Sequence, residues 1–190
     1  MIEAEYKARL TAPERVRAAL RERATPNIVL YQDTYYDTPS GDLDRGGREF
    51  RLRTVEDSSG GQRHVLTFKD PAIDEATGSK PEFETLVADP DAMDDIIARL
   101  GYQPALCFTK RCENFEFTAS GRRMLATIAS VPEIDGTFLE LETQAEEPEL
   151  SHAFTDLKTI LTELGVTSEE LTTELYTDAV RKARRSVDPR

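Results

Sequence analysis

The sequence predicts an α+β protein whose antiparallel sheet curls into a barrel-like tunnel flanked by helices. Two observations carry this. Strand-like runs follow one another through hairpin turns, with helices between some of them. On strand after strand, charged residues alternate with apolar ones, so one face of each strand is ionic. Inward charge on most strands cannot pack against an apolar core, whereas a closed or nearly closed barrel gives it a wet channel to line.

The elements follow in order. Residues 1–10 read as a strand that places Glu3, Glu5 and Lys7 on one face and Ile2, Ala4 and Tyr6 on the other. Thr11 is the expected N-cap of a helix reaching about Ala24, with Pro13 in its first turn and Glu14 three residues after the cap. An apolar and aromatic run, Ile28 to Tyr36, ends in the turn signal Asp37-Thr-Pro-Ser-Gly. Residues 48–55 and 64–69 alternate on either side of a Ser-Ser-Gly-Gly turn and read as a hairpin. A polar loop spans 70–79, and residues 80–87 alternate again. Asp89 caps a second helix that ends near Leu100, with Gly101 as its stop. Strand-like runs at 105–117, 122–131 and 136–143 follow. Helices are expected from about 148 to 164 and from about 168 to 185, the last ending in Arg181, Lys182, Arg184 and Arg185. The whole, 1–190, reads as one domain, with the helices of about 148–185 packed on the barrel.

Composition excludes several functions. A net charge of −12 over 190 residues argues against nonspecific nucleic-acid binding, although local basic clusters leave a nucleotide substrate open. No apolar run approaches the roughly 18 residues of a membrane span, and charge from residue 3 onward does not fit a signal peptide. Cys107 and Cys112 have no partners at zinc spacing and read as reduced thiols of a cytoplasmic protein.

The ionic stripes carry the chemistry. Glu3 and Glu5 are joined by Lys80, Glu82 and Glu84, with Phe83 opposite, and by Glu140 and Glu142, with Leu139 and Leu141 opposite. The cations lie on other strands: Arg51 and Arg53, Lys69 beside Thr67, and Lys110. A single such strand reads equally well as a solvated edge; the recurrence favours a channel. A polyphosphate bound with a divalent metal needs both signs. Mg²⁺ and Mn²⁺ take carboxylate oxygens and leave positions for phosphate, while Arg and Lys neutralise the remaining oxygens. No phosphate-cradling P-loop is present, so side chains on strands would do this work.

Here the sequence resembles the CYTH superfamily, the triphosphate tunnel enzymes that include class IV adenylate cyclases, thiamine triphosphatases and inorganic tripolyphosphatases. Glu3-x-Glu5-x-Lys7 looks like the opening signature of that family. The likeness continues through Asp33-Thr-Tyr-Tyr-Asp-Thr-Pro, Phe50-Arg-Leu-Arg, Leu66-Thr-Phe-Lys-Asp-Pro and Lys80-Pro-Glu-Phe-Glu. Leu100-Gly-Tyr, Gly136-Thr-Phe-Leu-Glu-Leu-Glu and Tyr176-Thr-Asp complete it. The resemblance implies Mg²⁺ or Mn²⁺ held by Glu3, Glu5, Glu140 and Glu142, with Glu82 or Glu84 contributing. It implies triphosphate contacts from Lys7, Arg51, Arg53, Lys69, Lys80 and Lys110, with Glu3, Glu5, Lys7 and Lys69 as the catalytic set. Its partner would be a nucleoside triphosphate or another polyphosphate, bound by a monomer or homodimer, with no nucleic acid or membrane involved.

Two positions depart from the family pattern. The family usually shows Lys-x-Arg where this chain has Lys110-Arg111-Cys112, so a thiol stands at an inward position and Arg111 reaches phosphate only with a register shift. Ala129 stands where an Asp is usual. Three chemistries therefore stay open. A cyclase directs the ribose 3′-hydroxyl at the α-phosphorus, a triphosphatase directs water at the terminal phosphorus, and a repurposed tunnel binds or converts another anionic molecule. The Thr-Tyr-Tyr-Asp-Thr-Pro and Leu-Thr-Phe-Lys-Asp-Pro segments look closer to the cyclase branch. His64 and His152 lack catalytic partners at recognisable spacing, and Cys112 lacks a Cys–His signature. Tyr35 and Tyr36 divide between core and tunnel mouth; Tyr176 either closes the tunnel or packs in the core. The Arg181–Arg185 cluster reads as a solvated helix end.

Overall fold

The computed structural model describes residues 2–73 and 78–187. Residues 74–77 of the expected 70–79 loop lie outside the described residues. Eight strands form a closed antiparallel barrel, ordered β1-β5-β4-β3-β2-β6-β7-β8. They are β1 (Ile2–Leu10), β2 (Asn27–Asp37), β3 (Glu49–Asp57), β4 (Gln62–Lys69), β5 (Lys80–Val87), β6 (Gln103–Ala119), β7 (Arg122–Ser130) and β8 (Thr137–Ala145). Five helices flank them: α1 (Pro13–Arg21), α2 (Asp42–Arg45), α3 (Pro90–Arg99), α4 (Leu150–Glu163) and α5 (Tyr176–Val187).

Closure is uneven. β1 and β8 pair along their whole length, from Ile2↔Ala145 to Leu10↔Thr137. β1 and β5 meet only at Ile2↔Pro81 and Glu3↔Lys80. The outward rows of β1, β7 and β8 are apolar and bury against α1 and α4, with Ala4, Leu139, Leu141 and Leu157 at 0% exposure. α3 covers the other flank, seating Ile97 against Tyr36, Leu52 and Val87. With hydrophobic burial assigned to the barrel's outside, the inward rows are free to be ionic.

Three local expectations are corrected. Thr11 does not cap α1: Ala12 is the N-cap, and both the amide and the hydroxyl of Thr11 donate to Glu170 at 2.7 Å. The expected last helix is divided into a 3-10 turn (Ser168–Glu170), an extended strap and α5. The strap is pinned to β1 by the Ala8↔Leu171 bridge and by Thr172 N–H donating to the Lys7 carbonyl at 2.9 Å. The short α2 was not expected. It exists because Asp37 accepts hydrogen bonds from the amides of Leu43 and Asp44.

Candidate active site

The lumen is built by register. Glu5 stands opposite Glu142 and Lys7 opposite Glu140 across the β1–β8 pair. Arg51 faces Thr67 and Glu49 faces Lys69 across β3–β4, and Lys69 faces Glu82 across β4–β5. Two cavities of about 100 and 180 Å³ lie inside the barrel, and Glu3, Glu5, Arg51, Lys69, Lys110 and Glu140 line both. The smaller lies under the strap; the larger opens past Tyr31, Arg63, Val65 and Leu125.

One wall is acidic. Carboxylate oxygens of Glu3, Glu5 and Glu142 lie within 4.8 Å of one another. Burial, reinforced by the charges of Glu140 and Glu3, pushes the Glu5 carboxyl up to about 8. Burial, then Glu3 and Glu5, hold Glu142 well above the usual range. Burial and a hydrogen bond with Glu3 push Glu82 up to about 8. Burial also works against Glu3, but Lys69 at 2.7 Å overcomes it and brings Glu3 down to about 2. A converging carboxylate trio in which Glu3 is ionised while burial, then mutual repulsion, holds Glu5 and Glu142 back from ionising is a donor set that a hard divalent cation fits.

The other wall is basic and partly engaged. The Lys69 ammonium lies between Glu3 at 2.7 Å and Glu82 at 3.7 Å. Arg51 donates from Nη2 to the Thr67 hydroxyl at 3.2 Å. Lys110 is 3.7 Å from Glu140. Lys7 donates to the Glu174 carbonyl in the strap at 2.7 Å. Lys80 is held by Glu49 at 2.6 Å.

The expected residues do not all converge. Glu3, Glu5, Lys7, Arg51, Lys69, Lys80, Lys110 and Glu140 line the cavity under the strap, and Arg53, Glu82, Glu84 and Glu142 line the other. Glu140 stands outside the trio, with Lys110. Glu84 is exposed, accepting from the Thr67 hydroxyl at 3.3 Å. Arg111 is exposed on the outer face of β6, because its neighbours Lys110 and Cys112 take the inward positions. The register runs unbroken there, Lys110 to Tyr31 and Cys112 to Val29, so no bulge turns Arg111 inward.

Asp33 was missed. It is 2% exposed and accepts from Arg53 Nε at 2.6 Å and Nη2 at 2.8 Å. Alternation along β2 from Val29 through Tyr31 was the signal for an inward Asp33, but the run's aromatic character masked it. Tyr31 stacks on the Arg53 guanidinium, 4.1 Å from ring centroid to Cζ.

The model of the CYTH domain matches residues 1–176. The chain belongs to the CYTH family. Proteins of the CYTH family are, in general, metal-dependent triphosphate tunnel enzymes, and the closed antiparallel barrel described above has the architecture of such a tunnel. The chain is similar to the adenylate cyclase CyaB of Aeromonas hydrophila, at 26% identity over 179 residues, covering 92% of this chain and 86% of that one. Its fold is similar to that of the PH1819 protein of Pyrococcus horikoshii, with a TM-score of 0.79, 26% identity, and 95% and 99% of the two chains covered. It is also similar to the Hippeastrum protein HpAC1, whose structure is described as revealing a dominant triphosphatase activity, with a TM-score of 0.66, 18% identity and 96% of each chain covered. No described helix is long and apolar enough to cross a membrane.

Proposed function

We propose that this CYTH protein is a metal-dependent adenylate cyclase, converting ATP to cyclic AMP and pyrophosphate. The observation that carries this reading is the pairing, in one lumen, of the Glu3–Glu5–Glu142 trio with a facing set of cations. The cyclase CyaB, similar over 92% of the chain, points to the same reaction. Glu3, Glu5 and Glu142 would hold Mg²⁺ or Mn²⁺, with Glu82 adjoining through Glu3. Such an ion supplies charge neutralisation at the phosphates and polarisation of the phosphorus centre.

The chain's own residues do the rest. Arg51, Lys69 and Lys110 bind phosphate oxygens and stabilise the charge that builds on the leaving pyrophosphate. Arg53, anchored by Asp33, presents its remaining N–H edge to the lumen. The ribose 3′-oxygen forms a bond to the α-phosphorus as the bridge between the α- and β-phosphates breaks, and the 3′-hydroxyl proton departs to solvent or a neighbouring acceptor.

A second reading is favoured by HpAC1: the same fold, there, is described with a dominant triphosphatase activity. Water would then attack the terminal phosphorus within the same electrostatic frame. Phosphorus NMR with Mn²⁺ separates the two readings. ATP giving cyclic AMP with pyrophosphate supports the cyclase. Orthophosphate from ATP or tripolyphosphate moves the assignment to the triphosphatase, and an unchanged spectrum in both tubes rejects both.

A further inference from the structure

Among the described residues, two buried donors in the lumen have no partner in hydrogen-bonding geometry: Nε of Arg51 and the hydroxyl of Tyr176. Both residues line the cavity under the strap. Native structures pair their buried polar groups, so a lumen that leaves two donors open is shaped for a ligand that brings acceptors. Arg51 is already accounted for as a phosphate contact. Tyr176 is not.

Tyr176 opens α5 and is 7% exposed. Its ring centroid lies 3.3 Å from Nζ of Lys7 and 4.5 Å from Nζ of Lys110, and Phe138 meets it edge-on at 5.3 Å. The ring belongs to the cluster containing Cys112 and Ala129, which face each other across β6 and β7. Two small, uncharged residues at that facing pair leave room for an aromatic ring inside the barrel. The strap fixes the ring's approach, since Lys7 also donates to the Glu174 carbonyl two residues before Tyr176. The result is one hydroxyl donor and two ammonium groups gathered at the strap end of the ionic lumen.

We propose that Tyr176 is a substrate-binding residue whose hydroxyl donates to the terminal phosphate of a polyphosphate chain, while its ring holds Lys7 and Lys110 against the same group. The inference rests on the triphosphate reading above and deepens it. It sets the direction of the substrate: the chain end lies under the strap, and a nucleoside extends toward the mouth lined by Arg63, Val65 and Leu125. Glu140, the acidic neighbour at this end, lies 3.7 Å from Lys110 and near enough to the Tyr176 hydroxyl to help hold it protonated, so an incoming phosphate competes with this carboxylate for the hydroxyl's proton.

The test is calorimetric titration of tripolyphosphate into wild-type protein and Tyr176→Phe. Ca²⁺ serves as the divalent cation, and phosphorus NMR verifies that the probe stays intact. Phe keeps the ring contacts and removes only the hydroxyl, so the unliganded melting temperatures should agree. The expected result is an affinity roughly tenfold or more lower in Tyr176→Phe, the scale of a hydrogen bond to a charged group. KM for ATP should rise by a similar factor with kcat little changed. Tyr176→His, which keeps a planar ring and an N–H donor, should recover part of the affinity, a recovery that a purely structural role does not predict. Equal affinity in wild type and Tyr176→Phe overturns the role of Tyr176 and leaves the triphosphate reading standing. Absence of tripolyphosphate binding in the wild type overturns both.

Discussion

Asp33 grips Arg53 through two parallel hydrogen bonds, Nε to Oδ1 at 2.6 Å and Nη2 to Oδ2 at 2.8 Å, inside the barrel wall. The pair sets which edge of the guanidinium faces the lumen. Removing the carboxylate leaves a buried cation without its counter-charge, which costs about 3–5 kcal/mol. Asp33→Asn should therefore lower the urea midpoint by that order and reduce kcat/KM. Arg53→Leu in the Asp33→Asn background should recover stability and not activity. Full activity in Asp33→Asn would show that Arg53 needs no anchoring.

The carboxylate trio predicts opposite effects of one substitution on stability and function. Glu5 is pushed up to about 8 by burial and by its acidic neighbours, so its ionised form is disfavoured in the fold. Glu5→Gln should raise the melting temperature of the metal-free protein at pH 8, abolish the stabilisation by Mn²⁺, and cut turnover roughly a hundredfold or more. Stabilisation by Mn²⁺ that survives Glu5→Gln would place the ion elsewhere.

The two thiols should react differently. Burial pushes Cys112 up to about 12, and the residue is 2% exposed, whereas Cys107 is exposed. A thiol-reactive disulfide reagent at pH 8 should count one thiol in the native protein and two after denaturation. Rapid labelling of both in the native state would contradict the closed wall around Cys112.

Glu170, at the end of the 3-10 turn Ser168–Glu170, ties the C-terminal region back to the start of α1. Its carboxylate accepts from the amides of Thr167 and Thr11, and these bonds bring it down to about 2. A carboxyl lowered from 4.5 to about 2 stabilises the fold fully above pH 4.5 and loses that contribution as the pH falls toward 2. Glu170→Gln should cost about 1–3 kcal/mol at pH 7, and the difference from wild type should vanish near pH 2. A difference that stays constant from pH 7 to pH 2 would exclude this role for the carboxylate.

Much of the fold was legible because strand alternation is a local signal. Glu3, Glu5 and Lys7 on β1, Arg51 and Arg53 on β3, and Glu140 and Glu142 on β8 each declare an inward row within a few residues, and the rows do line one lumen. What stayed hidden depends on contacts distant in sequence. The strap at 171–175 looks helical by composition, yet Ala8 and the Lys7 carbonyl hold it extended. Thr11 looks like a cap, yet Glu170, 159 residues away, takes its hydroxyl. Asp33 sits among aromatic residues whose periodicity reads as core, and only its pairing with Arg53 shows it to be part of the ionic wall. Cys112 and Ala129 register as missing charges in the sequence; in the barrel they face one another and belong to the cluster that takes in Tyr176.

The most direct measurement is anomalous diffraction from crystals grown with Mn²⁺ and tripolyphosphate. The structure predicts an anomalous peak among Glu3, Glu5 and Glu142, at the roughly 2.0–2.6 Å of hard-cation bonds to oxygen. Phosphate density should run from that peak past Lys69 and Arg51 toward Tyr176. A lumen free of anomalous signal, with Mn²⁺ bound only on the outer surface, would contradict the assignment of this barrel as a metal-dependent triphosphate site.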